Sequence, residues 1–107
     1  MDLNPPSYPI YVRAEHHGKT CELSRKTAEK IEFHHGIRKP TETIQEILSN
    51  PDRIIASSHT ANHFLYYKGY RRNRYYIVVV IDLDEGRIDT AYITNKVKGG
   101  DRIWENS

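Results

Sequence analysis

The chain has only one cysteine, Cys21, among its 107 residues. A single cysteine excludes an internal disulfide and favours a reducing compartment. No apolar run approaches the roughly 20 residues that a membrane-spanning helix needs, and residues 1–7 lack the apolar core of a signal peptide. We therefore expect a cytoplasmic protein.

The chain also lacks a large excess of one sign of charge. Its 16 Lys and Arg residues are nearly balanced by 14 Asp and Glu residues, for a net charge of +2. This balance argues against a protein that coats nucleic acid as histones do, but it leaves room for a local basic patch. The sequence has no glycine-rich phosphate loop and no CxxC pair. With 37% hydrophobic and 28% charged residues, residues 1–107 are expected to form one domain, with 1–7 as an extended lead-in.

What the chain does have is a dense stretch of tyrosines and cations at residues 66–76 (YYKGYRRNRYY), with five tyrosines and four Lys or Arg residues. Lys and Arg neutralise phosphates, and tyrosine rings stack on unpaired bases at about 1–3 kcal/mol per base. The stretch therefore suggests contact with nucleic acid. An alternative stays open, since tyrosines also fit half-buried strands and arginines at a hairpin tip prevent edge pairing.

The first half of the chain is predicted to form a hairpin followed by two helices. Ser24 is a favourable N-cap for the first helix, and Gly36 ends it. Pro40 suits the first turn of the second helix. The predicted elements are strands over 8–14 and 20–23, a helix over 25–35 and a helix from Pro40 to Asn50.

The second half is predicted to be a meander of antiparallel strands followed by an irregular tail over 96–104. Because the helices precede the strands instead of alternating with them, we expect an α+β fold. Its predicted form is two N-terminal helices packed on a four-stranded antiparallel sheet, with a short N-terminal hairpin as an optional addition. The predicted strands are 53–58, 62–67, 75–83 and 87–94.

His34 and His35 lie at the predicted end of the first helix and are followed by Arg38 and Lys39. A neutral imidazole, with a pKa near 6.5, can accept a proton from a ribose 2′-hydroxyl, and adjacent cations can stabilise the charge on a reacting phosphate. This unit is therefore a candidate acid–base and phosphate-binding site. The alternative is that one histidine packs under the helix while the two cations are solvated.

Two further stretches carry polar groups that suit phosphate. Ser58 lies in a Ser-Ser-His-Thr stretch after the third predicted strand, where it could contact phosphate or form a turn. Thr90 and Tyr92 share one face of the last predicted strand, close to Lys96 and Lys98. That face is either part of a phosphate site or an ordinary solvent face.

Cysteine and histidine side chains could also form a zinc-binding site. The ligand types are right at His16, His17, Cys21, His34 and His35. The spacing from His17 to Cys21 matches no strong zinc-finger pattern, however. We interpret the hairpin histidines as surface residues and expect no metal.

Four short motifs follow one another along the chain: 34–40 (HHGIRKP), 48–52 (LSNPD), 67–68 (YK) and 90–92 (TAY). In this order they resemble the barnase–EndoU–colicin–RelE superfamily of ribonuclease domains, in particular its small phage- and prokaryote-associated branch. That branch typically shows His-Ile-x-x-(Arg/Lys)-His-Pro, then Leu-x-Asn-Pro-Asp, Tyr-Lys and Thr-Ala-Tyr. Lys39 stands here at the position of the second motif histidine.

The resemblance implies a compact fold of two helices on a four-stranded antiparallel sheet. It also implies RNA cleavage by attack of the 2′-hydroxyl on the phosphodiester, without a metal or other cofactor. The implied catalytic residues are His34 as the acid–base group, with Arg38, Lys39, Thr90 and Tyr92. The residues expected to bind substrate are Ser58, Lys68, Arg71, Arg72 and Lys96.

A ribonuclease would harm the cell that makes it, so we expect a cognate inhibitor or antitoxin protein as a partner besides RNA. Such an inhibitor would be acidic and would cover the basic cleft. Two other hypotheses remain. The domain could be a toxin that binds a protein target without chemistry of its own, or a non-catalytic RNA-binding or regulatory domain whose affinity falls with salt.

Overall fold

The computed structural model describes residues 7–70, 72 and 74–105. Residues 1–6 of the predicted lead-in (1–7) and the predicted substrate-binding residue Arg71 lie outside the described residues. Within the described residues the chain forms seven strands and two helices. In chain order these are β1 (Ile10–Ala14), β2 (Lys19–Leu23), α1 (Arg25–Phe33), α2 (Pro40–Ser49), β3 (Arg53–Ala56), β4 (His63–Tyr70), β5 (Tyr75–Asp82), β6 (Arg87–Thr94) and β7 (Arg102–Glu105).

The two helices form where the local sequence predicts them. The Ser24 hydroxyl accepts a hydrogen bond from Thr27 N at 3.1 Å and so caps α1. α1 ends at Phe33, slightly before the predicted end, and Gly36 follows with a positive φ of 69°. Neither described helix is long and apolar enough to cross a bilayer. Pro40 opens α2, whose buried stripe consists of Ile44, Ile47 and Leu48.

The predicted meander of four antiparallel strands is also present. β3, β4, β5 and β6 pair in succession, and one row of paired residues runs through Ile55, Leu65, Val80 and Thr90. Successive residues of a strand face opposite sides of the sheet. One row of side chains therefore faces the helices, and the next faces away from them.

The predicted fold class is wrong in the size and type of the sheet. The sheet has seven strands in the order β1-β2-β6-β5-β4-β3-β7, and it is mixed because β2 runs parallel to β6 at the Glu22–Arg87 pair. The N-terminal hairpin joins the β6 edge, while β7, inside the tail expected to be irregular, pairs with β3. The two hairpin strands were predicted, but no side-chain pattern shows that β2 pairs with β6. β7 has only four, mostly exposed residues, so hydrophobic alternation does not reveal it.

The two helices pack on one face of the sheet and enclose the main core. Ile31, Ile44 and Leu48 from the helices are buried there together with Val79 and Ile81 from the sheet. We call the opposite side of the sheet the outer face. The buried residues of the outer face are Ile55, Leu65, Tyr67 and Val78.

The connection from β6 to β7 covers part of the outer face, and we call residues 95–101 the crossing segment. Val97 packs against the buried outer-face residues. Lys98 N donates a hydrogen bond to Tyr67 Oη at 3.0 Å. The crossing segment is therefore held on the sheet, where it can form the wall of a cleft.

The two edges of the sheet approach each other. His16, in the β1–β2 turn, packs against Trp104 of β7 with ring centroids 4.2 Å apart. Because β1 and β7 are the opposite edges of the sheet, this contact shows that the sheet curls strongly around the main core. Trp104 also packs against that core.

A candidate cleft on the outer face of the sheet

A cleft of about 340 Å³ lies on the outer face, between the crossing segment and the loop that joins β3 to β4. The row formed by Ile55, Leu65 and Val80 supplies its apolar surface. Its polar lining residues are Ser57, Ser58, His59, Thr60, His63, Asp89, Thr90, Tyr92 and Lys98.

Three residues predicted from the sequence meet in this cleft: Ser58, Thr90 and Tyr92. Thr90 and Tyr92 reach it because they alternate along β6 with Ala91, which is buried on the helix side. Burial raises the pKa of Tyr92, so its hydroxyl stays protonated at neutral pH and can donate a hydrogen bond. Thr90 Oγ1 is shielded from solvent and has no hydrogen-bond partner among the described residues.

The other predicted catalytic residues lie elsewhere. His34 is the C-cap residue of α1, and its side chain is exposed, as are those of Arg38 and Lys39. Arg38 lines a separate cavity of about 470 Å³ near the β4–β5 turn, which we call the hairpin-end groove. The residues lining that groove are Gly36, Ile37, Arg38, Thr43, Tyr70, Ile77 and Ile93. The structure thus separates the predicted catalytic residues: Thr90 and Tyr92 line the cleft, Arg38 lines the groove, and His34 and Lys39 belong to neither described lining.

His35, the neighbour of His34, lies close to the cleft. Its ring centroid is 6.4 Å from that of Tyr92, which lines the cleft. The next residue, Gly36, lines the hairpin-end groove. The end of α1 therefore joins the two surfaces beside β6.

The predicted substrate-binding cations are dispersed. Lys68 Nζ donates to Asn50 O at 3.0 Å and lies 3.7 Å from Asp52 Oδ1, so the loop after α2 already balances its charge. Arg72 and Lys96 are exposed, and neither belongs to the described lining of the cleft or the groove. They are available to a long ligand but do not converge on one phosphate.

His59 and Lys98 give the cleft an imidazole and a cation. Ser57 Oγ accepts hydrogen bonds from His59 N and Thr60 N, both at 3.2 Å, and this turn places His59 in the cleft lining. Lys98 Nζ lies 5.9 Å from the centre of the Tyr92 ring. The sequence marks both residues as candidates for phosphate contact, but only the fold brings them to the same cleft.

A compact ionic cluster lies at one end of the cleft. His63 Nε2 is 2.9 Å from Asp89 Oδ2 and 3.4 Å from Asp82 Oδ2, and His63 Nδ1 is 3.0 Å from Ala61 O. The Ala61 carbonyl and the two carboxylates raise the pKa of His63. The hydrogen bond from Glu85 N, together with the charge of His63, lowers the pKa of Asp82.

No pattern in the sequence predicts this cluster. The β4–β5 register places His63 directly opposite Asp82, which a hairpin prediction could have shown. Asp89 joins them because the pairing of β5 with β6 shifts between Val80 and Ile81. A regular ladder predicted from alternation does not contain that shift.

The three hairpin residues considered as zinc ligands make packing or hydrogen-bond contacts. Cys21 is buried in the main core, and burial raises the pKa of its thiol. His17 Nδ1 lies 2.6 Å from Tyr66 Oη. His16 packs on Trp104. Each of the three hairpin residues therefore has a partner within the fold.

Comparisons with known proteins give no match, whether to a family model, a curated protein or a solved structure.

Proposed function

We propose that this protein is a metal-independent endoribonuclease that cleaves RNA in the outer-face cleft. The observation that carries the proposal is the convergence of Ser58, Thr90 and Tyr92, which belong to different parts of the chain, with His59 and Lys98. These side chains supply a proton acceptor, a cation and several hydroxyl donors. Together they are the groups that phosphodiester cleavage by a 2′-hydroxyl needs.

In the proposed reaction His59 accepts the proton of the 2′-hydroxyl. The 2′-oxygen bonds to phosphorus, the bond from phosphorus to the 5′-oxygen breaks, and the 5′-oxygen takes a proton from solvent. Lys98 stabilises the negative charge on the phosphorane, while the Thr90 and Tyr92 hydroxyls donate to its oxygens. The product carries a 2′,3′-cyclic phosphate.

The size of the cleft suits one nucleotide. Its volume of about 340 Å³ lies at the small end of the roughly 300–1,000 Å³ that is usual for small-ligand sites. The rest of an RNA strand would lie outside the cleft. The hairpin-end groove offers a path for it, since Arg38 and Tyr70 line the groove and Arg72, Arg74 and Tyr75 are exposed nearby on the β4–β5 turn.

The first prediction is that His59→Ala abolishes cleavage while His34→Ala leaves it intact. Loss of the proton acceptor should slow cleavage by about 10²–10⁴-fold. His34 is the matched control, because it is an exposed histidine outside the described lining of the cleft. Purified protein is incubated with RNA in EDTA, and fragment ends are assayed for 2′,3′-cyclic phosphate, with circular dichroism as the check of folding.

Intact RNA at high concentrations of the wild-type protein would contradict the proposal. So would equal rates for wild type and His59→Ala. Cleavage that requires an added metal ion would overturn the metal-independent mechanism.

A second candidate function is RNA binding without cleavage, and the observation that favours it is the hairpin-end groove. That groove combines Arg38 with an aromatic side chain, Tyr70, and with Ile93, a surface that suits an unpaired strand. Salt-dependent RNA binding with no fragments in the same assay would select this candidate.

The proposal includes a cytoplasmic location and a protein partner. RNA is abundant in the cytoplasm, and a free ribonuclease there needs an inhibitor. An acidic inhibitor would block both surfaces by contacting Lys98 in the cleft and Arg38 in the groove.

A further inference from the structure

We propose that His63, Asp82 and Asp89 form a binding site for a divalent transition-metal ion such as Zn²⁺. One nitrogen and two carboxylate oxygens converge, and one ligand atom from each residue lies within 4.8 Å of the others. The ring nitrogen and carboxylate oxygens are of the kinds that Zn²⁺ binds.

The spacing of the ligand atoms fits a small ion. Zn²⁺ bonds to nitrogen and oxygen at about 2.0–2.2 Å, so two ligands of a tetrahedral ion lie about 3.4 Å apart. His63 Nε2 is 3.4 Å from Asp82 Oδ2 and 2.9 Å from Asp89 Oδ2. Only small side-chain movements would separate the three ligands enough for an ion to enter.

Each ligand is also oriented by a group outside the cluster. His63 Nδ1 donates to Ala61 O at 3.0 Å, which leaves Nε2 facing the carboxylates. A metal-bound histidine is typically held by such a bond from its other ring nitrogen. Asp82 Oδ1 accepts from Glu85 N at 3.1 Å, and Asp89 Oδ1 accepts from Arg87 Nε at 3.1 Å.

The charge of the cluster favours a cation. Asp82 is 4% exposed, and a buried carboxylate needs a paired charge or a metal. With a neutral His63, the two carboxylates carry two negative charges, which a divalent ion would neutralise. Two cations compete with the ion. One is the proton on His63 Nε2, which the two nearby carboxylates favour. The other is the Arg87 guanidinium, whose Nη2 lies 3.9 Å from Asp82 Oδ2 and whose side chain is 59% exposed.

The position of the cluster leaves the ion an open face. His63 and Asp89 line the cleft, so a fourth position on the ion could face it. Thr90, which follows Asp89 and lines the same cleft, has a buried hydroxyl oxygen without a hydrogen-bond partner among the described residues. The three ligands come from β4, β5 and β6, so the bound ion would link three adjacent strands.

The test is a Zn²⁺ titration of the full chain by calorimetry, after removal of metal with EDTA and dialysis, combined with Co²⁺ absorption spectra. We expect one ion per chain for the wild type and at least tenfold weaker binding for Asp89→Asn. Glu85→Gln is the matched control, because it removes one exposed negative charge near the cluster but no ligand. It should bind as the wild type does.

Asp89 is the residue of choice because Asp82 is more buried, and its replacement risks the fold. Equal Zn²⁺ affinities for wild type and Asp89→Asn would overturn the proposal and would place any bound ion elsewhere, for example on the paired histidines. Absence of binding would overturn it as well. The measurement uses no RNA, so its outcome is independent of the proposed ribonuclease activity.

Discussion

Tyr66 and Tyr67 are fully buried although they begin the stretch whose tyrosines predict stacking on bases. β4 is a central strand with a core on each face, so consecutive residues are both covered: Tyr66 belongs to the main core and Tyr67 to the outer face. Their hydroxyls contact His17 and Lys98 N. Tyr75 is 39% exposed, so one stretch contains both structural tyrosines and one that a ligand can reach.

At the level of a single residue, His17 should make stability fall in acid. Burial, together with the nearby charge of His16, lowers the pKa of His17 below its usual value near 6.5. The unfolded chain then takes up the proton at a higher pH than the folded protein does. The contribution of His17 to the unfolding free energy is therefore fully present above about pH 6.5, and it is lost as the pH falls toward the pKa in the folded state.

Urea unfolding between pH 5 and 8 checks this prediction. The unfolding free energy of the wild type minus that of His17→Gln should decrease as the pH falls, because glutamine does not titrate. Parallel pH profiles for the two proteins would show that His17 does not contribute.

Among the elements, the crossing segment matters most for the cleft, and its fit depends on Gly100. This glycine has φ of 153°, and a Cβ placed there would clash with Ala56 O and lie 2.9 Å from Ile55 Cγ2. A hydrogen bond also holds the two backbone segments together here, since Ala56 N donates to Asp101 O at 2.8 Å. The entry into β7 is therefore a close approach of two backbones.

We expect Gly100→Ala to lower the unfolding free energy by about 2 kcal/mol or more, through backbone strain and a steric clash. Gly99→Ala is the matched control, since no heavy atom lies within 4 Å of a Cβ built there. Its effect should stay within about 0.5 kcal/mol. Chemical denaturation of the two variants decides the matter, and equal stabilities would refute the close approach.

For the molecule as a whole, the proposed function implies that RNA affinity depends on cations that lie on two surfaces. Lys98 lines the cleft and Arg38 lines the hairpin-end groove, and the end of α1 joins the two beside β6. If an RNA strand occupied both surfaces, Lys98 and Arg38 would each contact its phosphates. The net charge of +2 is too small to attract RNA by itself. The expected dependence therefore comes from the positions of the two cations on neighbouring surfaces.

We expect Arg38→Ala to weaken binding of single-stranded RNA and to reduce the slope of log K against log salt concentration by about 0.7, the value for one phosphate contact. Arg13→Ala is the control, because Arg13 is an exposed arginine on β1 that pairs with Glu15 at 3.5 Å. Fluorescence anisotropy at several salt concentrations gives both slopes. Identical slopes for Arg38→Ala and the wild type would exclude the groove from the RNA path.

The sequence by itself determined the elements whose signals are local. Ser24, Gly36 and Pro40 bound the helices through capping and φ preferences. Alternation revealed the four meander strands and placed Thr90 and Tyr92 on one face of β6. These features depend on neighbouring residues, so a single sequence contains them.

Only the tertiary structure decided which residues that are far apart in the sequence come together. The hairpin and β7 extend the sheet to seven strands through backbone groups, which carry no side-chain pattern. The fold also places His59 in the cleft and leaves His34 outside its described lining, and a shift in strand register brings Asp89 to His63. Such meetings depend on the curl and register of the whole sheet, which no local stretch of sequence specifies.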